Sequence, residues 1–152
     1  MNLYLLHGPN LNMLGKREPK IYGIETLPDI EKIVQTTLEN QNSSVKLISK
    51  QTNSEGELID WIHEIFNDQA NTTGIILNPG AFTHYSYGLR DALAMLNELP
   101  FKVIELHISN PNSRELFRSN SVVSPVVTGT IAGFGTDGYR LATLACLQPV
   151  NK

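Results

Sequence analysis

The sequence predicts an α/β fold: a five-stranded parallel sheet, doubly wound, with helices on both faces. Three observations carry this. Short apolar runs alternate with amphipathic segments, the amphipathic segments open on helix-start signals, and 152 residues suit one domain, 1–152, with a core between layers. Strand and helix alternating in one domain make βαβ units, whose right-handed crossovers set helices on both sides of the sheet.

The first apolar run, Leu3 to Leu6, is a strand ending at His7. A polar loop, Gly8 to Gly23, follows it. Thr26 with Asp29 three residues on starts the first long helix, whose stripe is Leu27, Ile30, Ile33, Val34 and Leu38. Val45 to Ser49 is the second strand. Ser54-Glu-Gly-Glu57 has the form of a capping box and opens a helix with Leu58, Ile59, Ile62, Ile65 and Phe66 on one face. Gly74 to Leu77 is the third strand, and Leu89, Ala92, Leu93 and Leu96 mark the helix after it. Lys102 to His107 is the fourth strand, the fifth falls within Val126 to Ile131, and Tyr139 to Leu147 is the last helix. The expected strand order is flavodoxin-like.

Composition narrows the function. Net charge is −3 and Lys and Arg form no basic stripe, which argues against nucleic acid and anionic lipid as partners. An anionic ligand must then be met by a few focused cations. The single cysteine, Cys146, sits in an apolar run and reads as core, with no internal disulfide possible. The N-terminal residues have neither a basic region nor a long apolar stretch, and no segment has the length of a membrane span, so a cytoplasmic location is expected. The four histidines lack metal-site spacing. No Gly-x-Ser-x-Gly elbow supports a serine hydrolase. The glycines of Gly129 to Gly135 lack the acidic partner of a dinucleotide site, and close packing explains them.

Chemistry concentrates at one edge. In an open parallel sheet, ligands sit past the carboxyl ends of the strands. Three such ends bring Asn10, then Asn78 and His84, then His107 and Ser109 to one crevice, and a short helical turn adds Arg114 and Arg118. Glu105 and His107 are two apart in a strand and share a face, so the carboxylate can orient the imidazole and keep it protonated; a purely structural hydrogen bond is the other reading. The turn at Ser109 offers free N–H groups to a carboxylate.

The first loop, with Arg17 and Tyr22, reads as a lid carrying a base; a solvated loop charge for Arg17 and a packing anchor for Tyr22 are the other readings. A free phenol, with a pKa of about 10, is only about 0.1% ionised at neutral pH. A close guanidinium can lower that value by roughly two units, which raises the anionic fraction to about one tenth. Arg17 is the candidate, and Gly15 and Gly23 are candidate hinges for lid motion. From the residues alone, a module binding a phosphate-bearing ligand in the same crevice is an open alternative.

Separated blocks across nearly the whole chain resemble type II 3-dehydroquinate dehydratase: Gly8-Pro-Asn-Leu-Asn12 with Leu14-Gly-Lys-Arg-Glu-Pro-Lys-Ile-Tyr-Gly23, then Asn53-Ser-Glu-Gly-Glu-Leu-Ile-Asp-Trp-Ile-His63, then Asn78-Pro-Gly-Ala-Phe-Thr-His84 with Leu89-Arg-Asp-Ala92. Glu105-Leu-His-Ile-Ser-Asn110, Arg114-Glu-Leu-Phe-Arg118 and Gly129-Thr-Ile-Ala-Gly-Phe-Gly135 complete the likeness. The resemblance implies a flavodoxin-like fold and reversible dehydration of 3-dehydroquinate to 3-dehydroshikimate by anti elimination through an enolate, with no imine, metal or cofactor. It implies that Tyr22 takes the C2 proton, Arg17 stabilises the tyrosinate, His107 protonates the leaving hydroxyl, Glu105 orients His107, and Asn10 holds a water on the enolate oxygen. Asn78, Ile108 and Ser109 would bind the substrate carboxylate, and His84, Arg118 and Asp91 the ring hydroxyls. Asp91 would come from a neighbouring subunit of a dodecamer built from trimers.

Overall fold

A computed structural model describes residues 1–150. Five strands, β1 (Asn2–His7), β2 (Lys46–Gln51), β3 (Thr72–Asn78), β4 (Lys102–His107) and β5 (Gly129–Ala132), form one sheet in the order β2-β1-β3-β4-β5. Every pairing is parallel, which is the flavodoxin-like order expected from the sequence. After β2 the chain crosses back over β1 to lay down β3, and the crevice opens where the winding direction reverses.

Central strands buried on both faces read as near-continuous apolar runs, and the middles of β1 and β3 do: Leu3, Leu5, Leu6, Ile75, Ile76 and Leu77 have no exposed surface. On one face α2 (Leu27–Asn40) and α5 (Asp137–Leu147) bury Ile30, Val34, Leu38, Tyr139, Ala142 and Cys146 against Leu3, Leu5, Ile76 and Leu106. On the other, α3 (Glu55–Asn67) and α4 (Tyr87–Ala94) bury Leu58, Ile62, Ile65, Leu89 and Leu93 against Leu6, Ile75, Leu77 and Val103. These are the stripes read from the sequence. A one-turn helix, α1 (Pro19–Tyr22), lies in the first loop.

The helix starts are as chemistry requires, with one revision. At α2 the Thr26 hydroxyl accepts from Asp29 N–H while the Asp29 carboxylate accepts from Thr26 N–H at 2.9 Å, a closed capping box. At α3 Ser54 accepts from Glu57 N–H at 3.2 Å, but Glu57 does not reach back to Ser54. Thr52 stands between them: Ser54 N–H donates to its hydroxyl at 3.0 Å, and that hydroxyl donates to the Glu57 carboxylate.

Strand bounds move by a few residues. The largest change is at β5, expected within Val126 to Ile131 and observed at Gly129–Ala132. Ser124–Val126 is instead a 3-10 turn that buries Val126, because Pro125 has no N–H to give a strand ladder. Arg114 and Arg118 do not share one turn either: Arg114 follows the 3-10 turn Pro111–Ser113, and Arg118 lies in a second, Leu116–Ser119.

Candidate active site

The parallel register brings His7, Gln51 and Asn78 level at the carboxyl edge of the sheet. Past that edge β1 runs into Gly8, whose N–H donates to the Asn78 carbonyl at 2.8 Å and ties the first loop to the end of β3. Asn10 takes a left-handed φ of 68°, and its N–H donates to Asn53 Oδ1 at 2.9 Å. Leu11 and Leu14 are buried and anchor the base of the lid.

Beyond that anchor the lid is thinly held. Arg17 N–H donates to the Met13 carbonyl at 3.0 Å, and α1 closes on Gly23, whose N–H donates to the Pro19 carbonyl at 2.8 Å. Gly15 and Gly23 both hold positive φ, 86° and 80°. The Arg17 guanidinium lies over the Tyr22 ring, 4.8 Å from its centroid. Arg114, placed at the crevice from sequence but not beside Tyr22, approaches the same ring to 5.1 Å and donates to Ser109 Oγ at 3.1 Å. Tyr22 therefore has two positive charges close to its ring.

The end of β4 is built differently. Glu105 is fully buried, and His107 Nε2 lies 2.7 Å from its Oε1. Thr83 and Ser124 hydroxyls donate to its two oxygens, and Ser121 donates to Oε1 at 3.1 Å. Thr130 is 3.4 Å from Oε2. Burial by itself would raise this carboxyl, but hydrogen bonds from His107, Ser124 and Thr83 outweigh it and hold Glu105 down at about 2. With Nε2 committed to an ionised carboxylate, Nδ1 is the nitrogen His107 can offer a ligand.

Asn78 is nearly buried, with its Oδ1 accepting from Gly80 N–H at 3.2 Å and its Nδ2 donating to Tyr139 Oη at 3.1 Å. His84 Nδ1 donates to the Asn120 carbonyl at 2.7 Å, which leaves Nε2 free for a ligand, and its ring meets Phe117 edge-on. Arg118 pairs with Glu115 and lies over Phe117.

One cavity is walled by Asn10, Arg17, Tyr22, Asn78, His84, His107, Ile108, Ser109 and Arg118, so the residues expected at the site converge. Glu105 stands behind His107, outside that cavity. Asp91 does not join it: it is exposed on α4 and paired with Arg90 at 3.0 Å. Sequence reasoning missed Arg114 as a neighbour of Tyr22, Tyr139 as a partner of Asn78, and the hydroxyls around Glu105. The close-set serines Ser119, Ser121 and Ser124 were the one local signal for the last.

The arrangement offers a phenol flanked by guanidiniums, an imidazole backed by a carboxylate, and amide and backbone donors for an anion, which is equipment for moving protons on a small oxygenated acid. Comparison with known proteins agrees. The chain is 48% identical over 151 residues to a 3-dehydroquinate dehydratase of Halalkalibacterium halodurans, covering 99% of this chain and 98% of that one. It is 51% identical over 145 residues to a catabolic 3-dehydroquinase of Botryotinia fuckeliana, covering 95% and 91%. The solved type II dehydroquinase of Butyrivibrio crossotus superposes with a TM-score of 0.89 at 42% identity, covering 97% of this chain and 98% of that one. The model of class II dehydroquinase matches residues 1–147, and the chain belongs to that family.

Proposed function

We propose that this chain is a type II 3-dehydroquinate dehydratase, a lyase that interconverts 3-dehydroquinate and 3-dehydroshikimate in the shikimate route to aromatic amino acids. The observation that carries the reading is the placing of Tyr22 and His107 on one cavity, the first beneath the Arg17 guanidinium and the second hydrogen-bonded to buried Glu105.

The substrate carboxylate docks on the Asn78 amide and the backbone of Ile108 and Ser109, with His84 and Arg118 on the ring hydroxyls. Tyr22 as phenolate removes the C2 proton, and its electron pair passes to the C3 carbonyl as an enolate. Arg17 and Arg114 stabilise the phenolate and the charge that develops. A water held by Asn10 donates to the enolate oxygen, a stabilisation of a few kcal/mol when donors are preorganised. The enolate collapses, the C1–O bond breaks, and His107 delivers a proton to the departing hydroxyl, giving water and a conjugated product. Glu105 accepts from Nε2–H and favours the imidazolium, whose Nδ1 proton is the one delivered. No step uses an imine or an added cofactor.

The chain works as one catalytic domain in the cytoplasm, in a dodecamer built as a tetramer of trimers, where Asp91 completes a neighbour's site. What supports this is the position of Asp91 away from its own cavity, and the exposed Tyr87, Leu116 and Phe117, 70%, 88% and 57% accessible in the isolated chain. The test is direct: purified protein with 3-dehydroquinate and no cofactor should develop the strong ultraviolet absorbance of the conjugated product, and borohydride added with substrate should not inactivate it. A flat trace, or borohydride inactivation, overturns the reading.

A further inference from the structure

The glycine-rich segment after β5, which the sequence reading leaves to close packing, lies against the anion subsite. Gly133 N–H donates to the His107 carbonyl at 3.2 Å and Gly135 N–H donates to the Ile108 carbonyl at 3.0 Å. Both glycines hold positive φ, 91° and 60°, where a side chain is strained. In a trans peptide the C=O of one residue and the N–H of the next point opposite ways. Pinning the carbonyls of 107 and 108 on the β5 side therefore aims the N–H groups of Ile108 and Ser109 at the β3 side, where Asn78 lies.

The same segment reaches the other half of the subsite. In the first turn of α5, fully buried Tyr139 places its hydroxyl 3.1 Å from Asn78 Nδ2. Gly80 N–H on Oδ1 settles which end of the amide is oxygen. Nδ2 carries two hydrogens; one goes to Tyr139, and the other is left for the cavity. Burial pushes the Tyr139 phenol far above its ordinary range, so it remains a neutral hydroxyl.

We propose that Tyr139, with the Gly133–Gly135 turn, is the positioning element of the carboxylate subsite, holding the Asn78 amide and the 108–109 peptides in the orientation that selects an anionic substrate. The proposal rests on the dehydratase reading above. Tyr139 touches no substrate and acts through Asn78.

The experiment compares 3-dehydroquinate with its methyl ester, which lacks the anion. Tyr139→Phe keeps the ring and removes the hydroxyl, leaving an amide hydrogen unpaired, and should raise KM for the acid about tenfold with kcat within about threefold. The preference for acid over ester in kcat/KM should fall about tenfold, whereas a general loss of structure lowers both alike. In an Asn78→Ala background the same change should add less than about twofold, because its route of action is gone. An unchanged acid-to-ester ratio, or losses that multiply, overturns the proposal. Should Tyr139→Phe fail to fold, Gly135→Ala, whose Cβ would meet nothing within 4 Å, must lower the same ratio, and an unchanged ratio is again fatal. A wild-type chain inert on 3-dehydroquinate sinks the dehydratase reading and this proposal with it; an active one with an unchanged ratio sinks this proposal alone.

Discussion

The lid and the end of β4 carry the two groups proposed to handle protons in one cavity, and they are built in opposite ways. Tyr22 rests on a one-turn helix closed by few backbone bonds, and its charged neighbours approach the ring face at 4.8 and 5.1 Å. Glu105 and His107 stand on a sheet strand, the carboxylate without exposed surface and held by a ring nitrogen and several hydroxyls. Ring-face contact with a guanidinium sets electrostatic potential without fixing geometry tightly, whereas a buried carboxylate fixes both. A base that must meet substrate and then release product suits a movable segment, and an acid whose orientation must not vary suits a rigid one.

The sharpest way to break that contrast is to disable each side and read activity and stability together. Tyr22→Phe should lower kcat at least about 10³-fold with KM nearly unchanged, since the lost interaction belongs to the transition state, and should leave stability within about 0.5 kcal/mol. Arg17→Ala should lower kcat about 10²-fold, again with little change in urea midpoint. Glu105→Ala should lower kcat about 10²-fold too, but it also strips the acceptor from Thr83, Ser124 and His107, and should cost about 3 kcal/mol of stability. Equal stability losses on the two sides would erase the proposed division between movable base and rigid acid.

A smaller change sharpens it. Ser124→Ala removes one donor from Glu105 Oε2 and should cost about 1 kcal/mol at neutral pH. Glu105 in the folded state titrates at about 2, below the ordinary 4.5, so the stability it supplies is present above about 4.5 and is lost as pH falls toward 2. With a donor gone the folded value rises, and the acid-induced loss of stability should be shallower in Ser124→Ala than in wild type. Curves that differ only by a constant offset would place the serine outside the electrostatics of Glu105.

How legible all this was in the sequence follows the same division. Period and strand ends are local properties, so the helix stripes and the carboxyl-edge crevice could be read from residues a few positions apart, and so could the i, i+2 pairing of Glu105 and His107. Contacts that close across the sheet carry no such period. Arg114 meets Tyr22 only once β4's outgoing loop folds over the lid, and Tyr139 meets Asn78 only because α5 packs back on β3. The fifth strand lies within the expected run but for Ala132, and its late start at Gly129 follows the 3-10 turn Ser124–Val126, of which Pro125 is the local sign.

The last test leaves activity aside and reads the frame beneath both regions. His7 ends β1 fully buried, its ring 5.7 Å from Tyr139, and neither ring nitrogen has a hydrogen-bond partner among the described residues. Burial disfavours the cation and lowers its pKa to about 3 from the ordinary 6.5. The unfolded chain then binds a proton that the folded chain refuses, so stability is unaffected above about 6.5 and falls as pH drops from there toward 3. The slope approaches about 1.4 kcal/mol per pH unit once the unfolded His7 is fully charged. Between pH 6.5 and 4.5 this loss precedes the one from Glu105, so the urea midpoint should decline in wild type and decline less in His7→Asn, with His63→Asn as an exposed control that tracks wild type. Parallel curves for wild type and His7→Asn would mean that the ring is protonated in the fold, and that the carboxyl edge of β1 is wetter than its packing against Tyr139 implies.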